Sequence, residues 1–67
     1  MKLPLRIRKV AAAYVIEDAA ETQLDFIYFE DDQTRRSAMR LMTEAEAREH
    51  AVRVARLLTD DEEAKSR

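Results

Sequence analysis

His50 is the one histidine among the 67 residues, and on a helix it lies one turn after Glu46, a spacing that could serve a general base or a metal ligand. No second histidine and no cysteine exists to complete such a site, so His50 reads as a helix-surface residue and neither catalysis nor a metal is expected. Ser37 and Ser66 are the only serines, and neither sits in a nucleophile-like context. Glu30, Asp31 and Asp32 could offer oxygens to a hard cation, but their spacing fits no EF-hand loop and the chain has no glycine for one. They read as a solvated acidic loop paired with Arg35 and Arg36. The lack of glycine also rules out the usual phosphate-cradling loop. No cofactor is expected, and the chain reads as non-enzymatic.

Arg6 and Arg8 raise a different chemistry, since two cations on one strand face beside Phe29 could hold a nucleic-acid backbone and stack a base. By strand parity Glu17, Asp25 and Asp31 share that face and would repel phosphates, so nucleic acid is disfavoured. Charged residues make up 39% of the chain with a formal net charge of -2. Up to Thr59 ten Lys and Arg face ten Asp and Glu, so the body is neutral and the deficit lies in "DDEEAKSR". A neutral body lacks the basic field of a nucleic-acid binder.

These side chains need strands and a helix to place them. In "LPLRIRKV", Leu3, Leu5 and Ile7 alternate with Pro4, Arg6 and Arg8, an edge strand with one face inward. "AYVIED" continues the β pattern, and "AAA" between them allows either a tight turn at Ala11 to Ala13 or one long strand bent by a bulge. Asp18 is placed to start a type I turn into "LDFIYFEDD", which is apolar on both faces: Leu24, Phe26 and Tyr28 on one, Ile27 and Phe29 on the other. "EDDQTRR" is expected to be a polar loop and "SAMRLM" a short extended segment, although the latter could also start a helix. In "TEAE", Thr43 as N-cap and Glu46 three residues on form a capping box, with Met42 placed to staple against Ala47. Ala47, Ala51, Val54, Ala55 and Leu58 then make an apolar stripe, while Glu44 with Arg48 and Glu49 with Arg53 are spaced as i,i+4 pairs.

"YVIEDA", "IYFEDD", "RRSAMRLMT" and "EAEAR" resemble a family of short, uncharacterised alphaproteobacterial proteins. The resemblance implies a β-hairpin followed by a T-x-x-E-capped helix and implies no activity or cofactor. The family pattern has glycine in its turns; here Ala20 and Glu21 stand about where Asn-Gly is expected, which leaves the hairpin register open.

The expected architecture is α+β: an antiparallel β-meander of about three strands, with room for a short fourth, and one C-terminal helix on one face. Residues 1–59 are expected to form a single domain and 60–67 an acidic C-terminal tail, frayed or disordered. A chain this short buries only about 60% of its unfolded surface, and without cysteine it cannot add disulfides, so help must come from association. The helix is expected to cover Leu5, Ile7, Tyr14, Ile16, Leu24, Phe26 and Tyr28. Val15, Ile27 and Phe29 then centre an outer face rimmed by Arg6, Arg8, Glu17 and Asp25, the anatomy of a protein interface. The expected function is a non-enzymatic protein–protein interaction module, a homodimer serving as a small adaptor or regulator, with itself or another protein as partner; the alternatives are a nucleic-acid-binding module using the outer face of the sheet and a phage-type inhibitor. No apolar run approaches the roughly 20 residues of a membrane span, and "MKLPLRIRKV" carries charges where a signal peptide is apolar, so a cytoplasmic location is expected.

Overall fold

The structure, a computed structural model, describes residues 1–39 and 41–65. Three strands, β1 (Arg6–Val10), β2 (Ala13–Glu17) and β3 (Gln23–Tyr28), form an antiparallel sheet in the order β1-β2-β3. Two helices follow, α1 (Gln33–Met39) and α2 (Glu44–Lys65), and α2 packs against all three strands. The fold is the α+β meander with a C-terminal helix that the pattern implies.

The turn between β1 and β2 is the tight one, Ala11–Ala12, pinned where Val10 pairs with Ala13. Ala11 takes φ 37°, the left-handed region a hairpin turn demands and glycine would occupy more readily. In the second connection Asp18 Oδ1 accepts the N–H groups of Ala20 and Thr22, each at 2.9 Å, and the Glu21 N–H closes a turn on the Asp18 carbonyl at 3.0 Å. Glu21 then sits at φ 64°, completing a type I turn followed by a left-handed residue. The carboxylate of Asp18 replaces what glycine would contribute, because it satisfies the loop's N–H groups from within.

That loop feeds a β-bulge. Glu17 pairs with Gln23 and Ile16 with Asp25, so Leu24 is an extra residue on β3. Leu24 still packs on the core, but the alternation beyond it is displaced: Tyr14 pairs with Ile27 and Val15 with Phe26. The core therefore holds Tyr14, Ile16, Ile27, Phe29, Ala47 and Ala51, with Leu5, Ile7, Leu24, Met42, Val54, Ala55 and Leu58 packed around them. The expected parity of β3 is overturned. Ile27 and Phe29, at 5% and 7% exposure, are inside, whereas Phe26 and Tyr28, at 41% and 57%, are outside. With apolar residues at both parities the strand fits either way in isolation, and its pairing with β2 decides.

The capping box forms as the spacing requires: Thr43 Oγ1 accepts the Glu46 N–H at 3.1 Å, and Glu46 Oε1 accepts the Thr43 N–H at 3.0 Å. Ala47 and Ala51 are fully buried, and these small side chains let α2 lie close on the sheet. The helix does not stop at Thr59; it runs on through Lys65. Residues 60–65 contain good helix formers and no breaker, Asp61 pairs with Lys65 at 3.0 Å, and the Met1 ammonium lies 3.6 Å from Glu62. The remainder of the expected tail, Ser66 and Arg67, lies outside the described residues.

α1 takes up residues 33–36 of the expected polar loop and 37–39 of the expected extended segment, while 30–32 remain outside any helix. Asp32 is its N-cap, with Oδ1 accepting the Arg35 N–H at 3.0 Å and its carbonyl accepting the Arg36 N–H at 2.8 Å. Of "SAMRLM", residues 37–39 belong to α1, Arg40 lies outside the described residues, and Met42 forms an isolated parallel bridge with Phe29, its carbonyl accepting the Glu30 N–H at 2.9 Å.

Candidate functional site

Helix α2 covers one face of the sheet, so the residues of opposite parity form the other face. Cross-strand pairing arranges them in three rows: Val10–Ala13–Tyr28, Arg8–Val15–Phe26 and Arg6–Glu17–Gln23. The central strand supplies a closed floor, since Ala13, Val15 and Glu17 are all buried beneath their longer neighbours. Cations stand on the β1 side and aromatic rings on the β3 side. The Phe26 and Tyr28 rings stack with centroids 6.2 Å apart and planes 16° from parallel, a favoured offset arrangement.

Glu17 organises the cationic side. Its Oε1 accepts from Arg6 Nε at 2.8 Å and Arg8 Nε at 3.2 Å, and Oε2 accepts from Arg8 Nη2 at 3.4 Å. Burial disfavours the charged form of Glu17, but hydrogen bonds and charge from Arg8 and Arg6 outweigh it and hold the carboxyl below its usual range. Arg6 Nη2 also lies 3.7 Å from Glu21. Two arginines thus meet two glutamates within the chain, and the patch is neutral although its guanidiniums are half exposed.

On the helix side the charged groups are structural. Lys9 pairs with Glu44 and lies 5.7 Å from the centroid of the Phe29 ring, while the Tyr14 hydroxyl donates to Glu44 Oε1 at 3.2 Å. The hydrogen bond to Glu44 raises the Lys9 ammonium, and Lys9 in turn holds the Glu44 carboxyl low despite its partial burial. Burial, reinforced by Glu44, pushes the Tyr14 phenol up. Among the described residues no ion pair joins Glu44 to Arg48 or Glu49 to Arg53; Glu44 reaches across to the sheet instead. Asp18 is held low by the N–H groups of Lys2 and Thr22, at 3.0 and 2.9 Å, against the cost of its burial, with Ala20 adding to the same side.

Of the residues expected on the outer face, Arg6, Arg8, Val15 and Glu17 lie together there. Asp25, opposite Ile16, is on the helix side at the edge of β3, and Ile27 and Phe29 are core. Phe26 and Tyr28 take their place, because the bulge at Leu24, which only the pairing with β2 reveals, reverses the parity of β3. His50 is half-buried beside an open groove of about 250 Å³ along the β3 edge, shared with Asp25, Leu41 and Met42. Among the described residues no group of three or more His, Cys, Asp or Glu is arranged to hold a metal, and no helix is long and apolar enough to cross a membrane. The arrangement can bind through stacking, apolar contact and guanidinium faces. Comparison with protein-family models, curated proteins and solved structures finds no match to this chain.

Proposed function

We propose that this chain is a non-catalytic protein–protein interaction module of the cytoplasm, that its contact surface is the uncovered sheet face, and that a second copy is its first partner. The observation that carries this reading is the exposed, stacked Phe26–Tyr28 pair beside a neutralised arginine patch. Tyrosine and arginine are the residues most enriched where binding energy concentrates, and rings already stacked lose little entropy on contact. The internal Glu17 clamp adds to this, because Arg6 and Arg8 can be covered without leaving an unpaired charge. Size-exclusion chromatography with light scattering tests it: Phe26→Arg should remain folded and lose self-association, and a variant that associates like the parent would overturn the reading.

The same rings favour a second reading, single-stranded nucleic acid stacked on Phe26 and Tyr28 beside arginine. Glu17 and Glu21 oppose it, since they already neutralise both guanidiniums and repel a phosphate backbone.

A further inference from the structure

We infer that two copies associate about a two-fold axis running parallel to β2, so that β1 of one protomer lies across β3 of the other; this rests on the self-association proposed above. The argument comes from the order of side chains within the rows. Val10–Ala13–Tyr28 and Arg8–Val15–Phe26 each run from an aliphatic or cationic residue on β1, over a low centre, to an aromatic ring on β3. Such a face is its own complement only when one copy is reversed across the strands.

Two limiting axes lie in the plane between two packed faces. An axis perpendicular to the strands through the Val15 row lays β1 on β1, which sets Arg8 against Arg8 and Phe26 against Phe26 and puts Val10 opposite the second copy's Arg6. The guanidiniums then meet each other instead of a ring: Glu17 is buried beneath its own arginines and Glu21 reaches only Arg6, so Arg8 faces Arg8 with no carboxylate of the second copy opposite it. An axis parallel to the strands reverses each row. Arg8 then lies over the second copy's Phe26 ring and Val10 over its Tyr28 ring, and the two β2 strands face each other at the axis with Val15 buried beneath its own row.

The geometry of Arg8 suits that role. It donates to Glu17 from Nε and Nη2, at 3.2 and 3.4 Å, which uses the edge of the guanidinium and leaves its flat face for a ring. Aligned sheets pack about 10 Å apart with strands roughly 30° off parallel, close enough for side chains of this length to interdigitate. The patch is small: three strands about 4.8 Å apart and five residues of about 3.3 Å each give a footprint of roughly 14 by 17 Å. This falls well short of the roughly 800 Å² per partner of a standard interface, so the dimer should be weak and in rapid exchange.

Isotope-filtered NOE spectroscopy on an equimolar mixture of labelled and unlabelled protein, at a concentration where sedimentation shows the dimer, tests the axis. Expected are intermolecular cross-peaks from the Tyr28 ring to the Val10 methyls and from the Phe26 ring to the Arg8 side chain. Cross-peaks joining Phe26 to Phe26 and Arg8 to Arg8 would overturn the parallel axis while leaving self-association standing. So would a dimer whose intermolecular cross-peaks come from α2. A chain that stays monomeric at about 500 μM, well above the range of ordinary weak interfaces, would remove both proposals.

Discussion

The rings of Phe26 and Tyr28 stack on the bare face of the sheet, 6.2 Å apart, while two positions of the other parity along the same segment, Ile27 and Phe29, close the core beneath α2. Phe29 meets Tyr14 there, with centroids 5.5 Å apart and planes at 41°. One short segment thus faces two ways, toward its own helix and outward.

The two phenylalanines should respond differently to truncation. Phe29→Ala opens a cavity in the core and is expected to cost about 3–5 kcal/mol, enough to unfold a domain this small. Phe26→Ala removes an exposed ring and should change stability by less than about 1 kcal/mol. Urea midpoints check the pair, and equal losses would contradict the placement of β3.

The start of α2 should depend on Thr43. Removing its hydroxyl frees the Glu46 N–H, so Thr43→Ala should lower stability by about 1 kcal/mol. An unchanged denaturant midpoint would mean that the cap contributes nothing.

Stability should fall on both sides of neutrality. Glu17, Asp18, Glu44 and Glu46 all hold their carboxyls low; for Glu46 the cause is the Thr43 N–H and hydroxyl. Between the folded and unfolded pKa the unfolded chain binds more protons, so stability rises with pH there. This contribution is complete above the ordinary carboxylate range, near about 4, and is lost as pH falls through the folded values. Lys9 acts with the opposite sign: its raised pKa contributes below the ordinary 10.5 and is lost as pH rises through the folded value. Tyr14, also raised, adds to the alkaline loss. Glu17→Gln should make the acid limb shallower in pH-resolved urea melts, and an acid slope matching the parent's would contradict the Glu17 clamp.

Nucleic acid should bind weakly and only at low salt. Each phosphate contact adds roughly 0.9 to the salt slope, but Glu17 and Glu21 already occupy Arg6 and Arg8. Titrations with single-stranded DNA and RNA at about 150 mM salt should show no submicromolar affinity, because screened contacts of this kind are weak there. Tight binding would promote Arg6, Arg8, Phe26 and Tyr28 to nucleic-acid contacts.

What could be read from the sequence was local. Thr43 and Glu46 act on each other across one turn, and the stripe from Ala47 to Leu58 keeps a single period, so α2 and its buried face were legible. Asp18 likewise announced its turn. The parity of β3 was not legible, because Phe26, Ile27, Tyr28 and Phe29 are apolar in succession and one bulge at Leu24, fixed by pairing with Glu17 and Ile16, sets which of them turn inward. The missing glycines concealed the turns rather than preventing them, since Ala11 and Glu21 accept the left-handed conformation. α1 rests on a lone Asp32 cap in a segment whose apolar residues show no helical stripe. The arginines were placed correctly, but their capture by Glu17 depends on the pairing of Arg6 with Glu17, which no single strand displays.

Sedimentation equilibrium over roughly 10 to 500 μM, the span in which a small interface of this kind should populate both species, measures the central claim directly. The account predicts a weight-average mass that rises with concentration from 7.8 kDa toward twice that value, and a Phe26→Arg chain that stays at the monomer mass throughout. A parent chain fixed at the monomer mass across the whole range would contradict it.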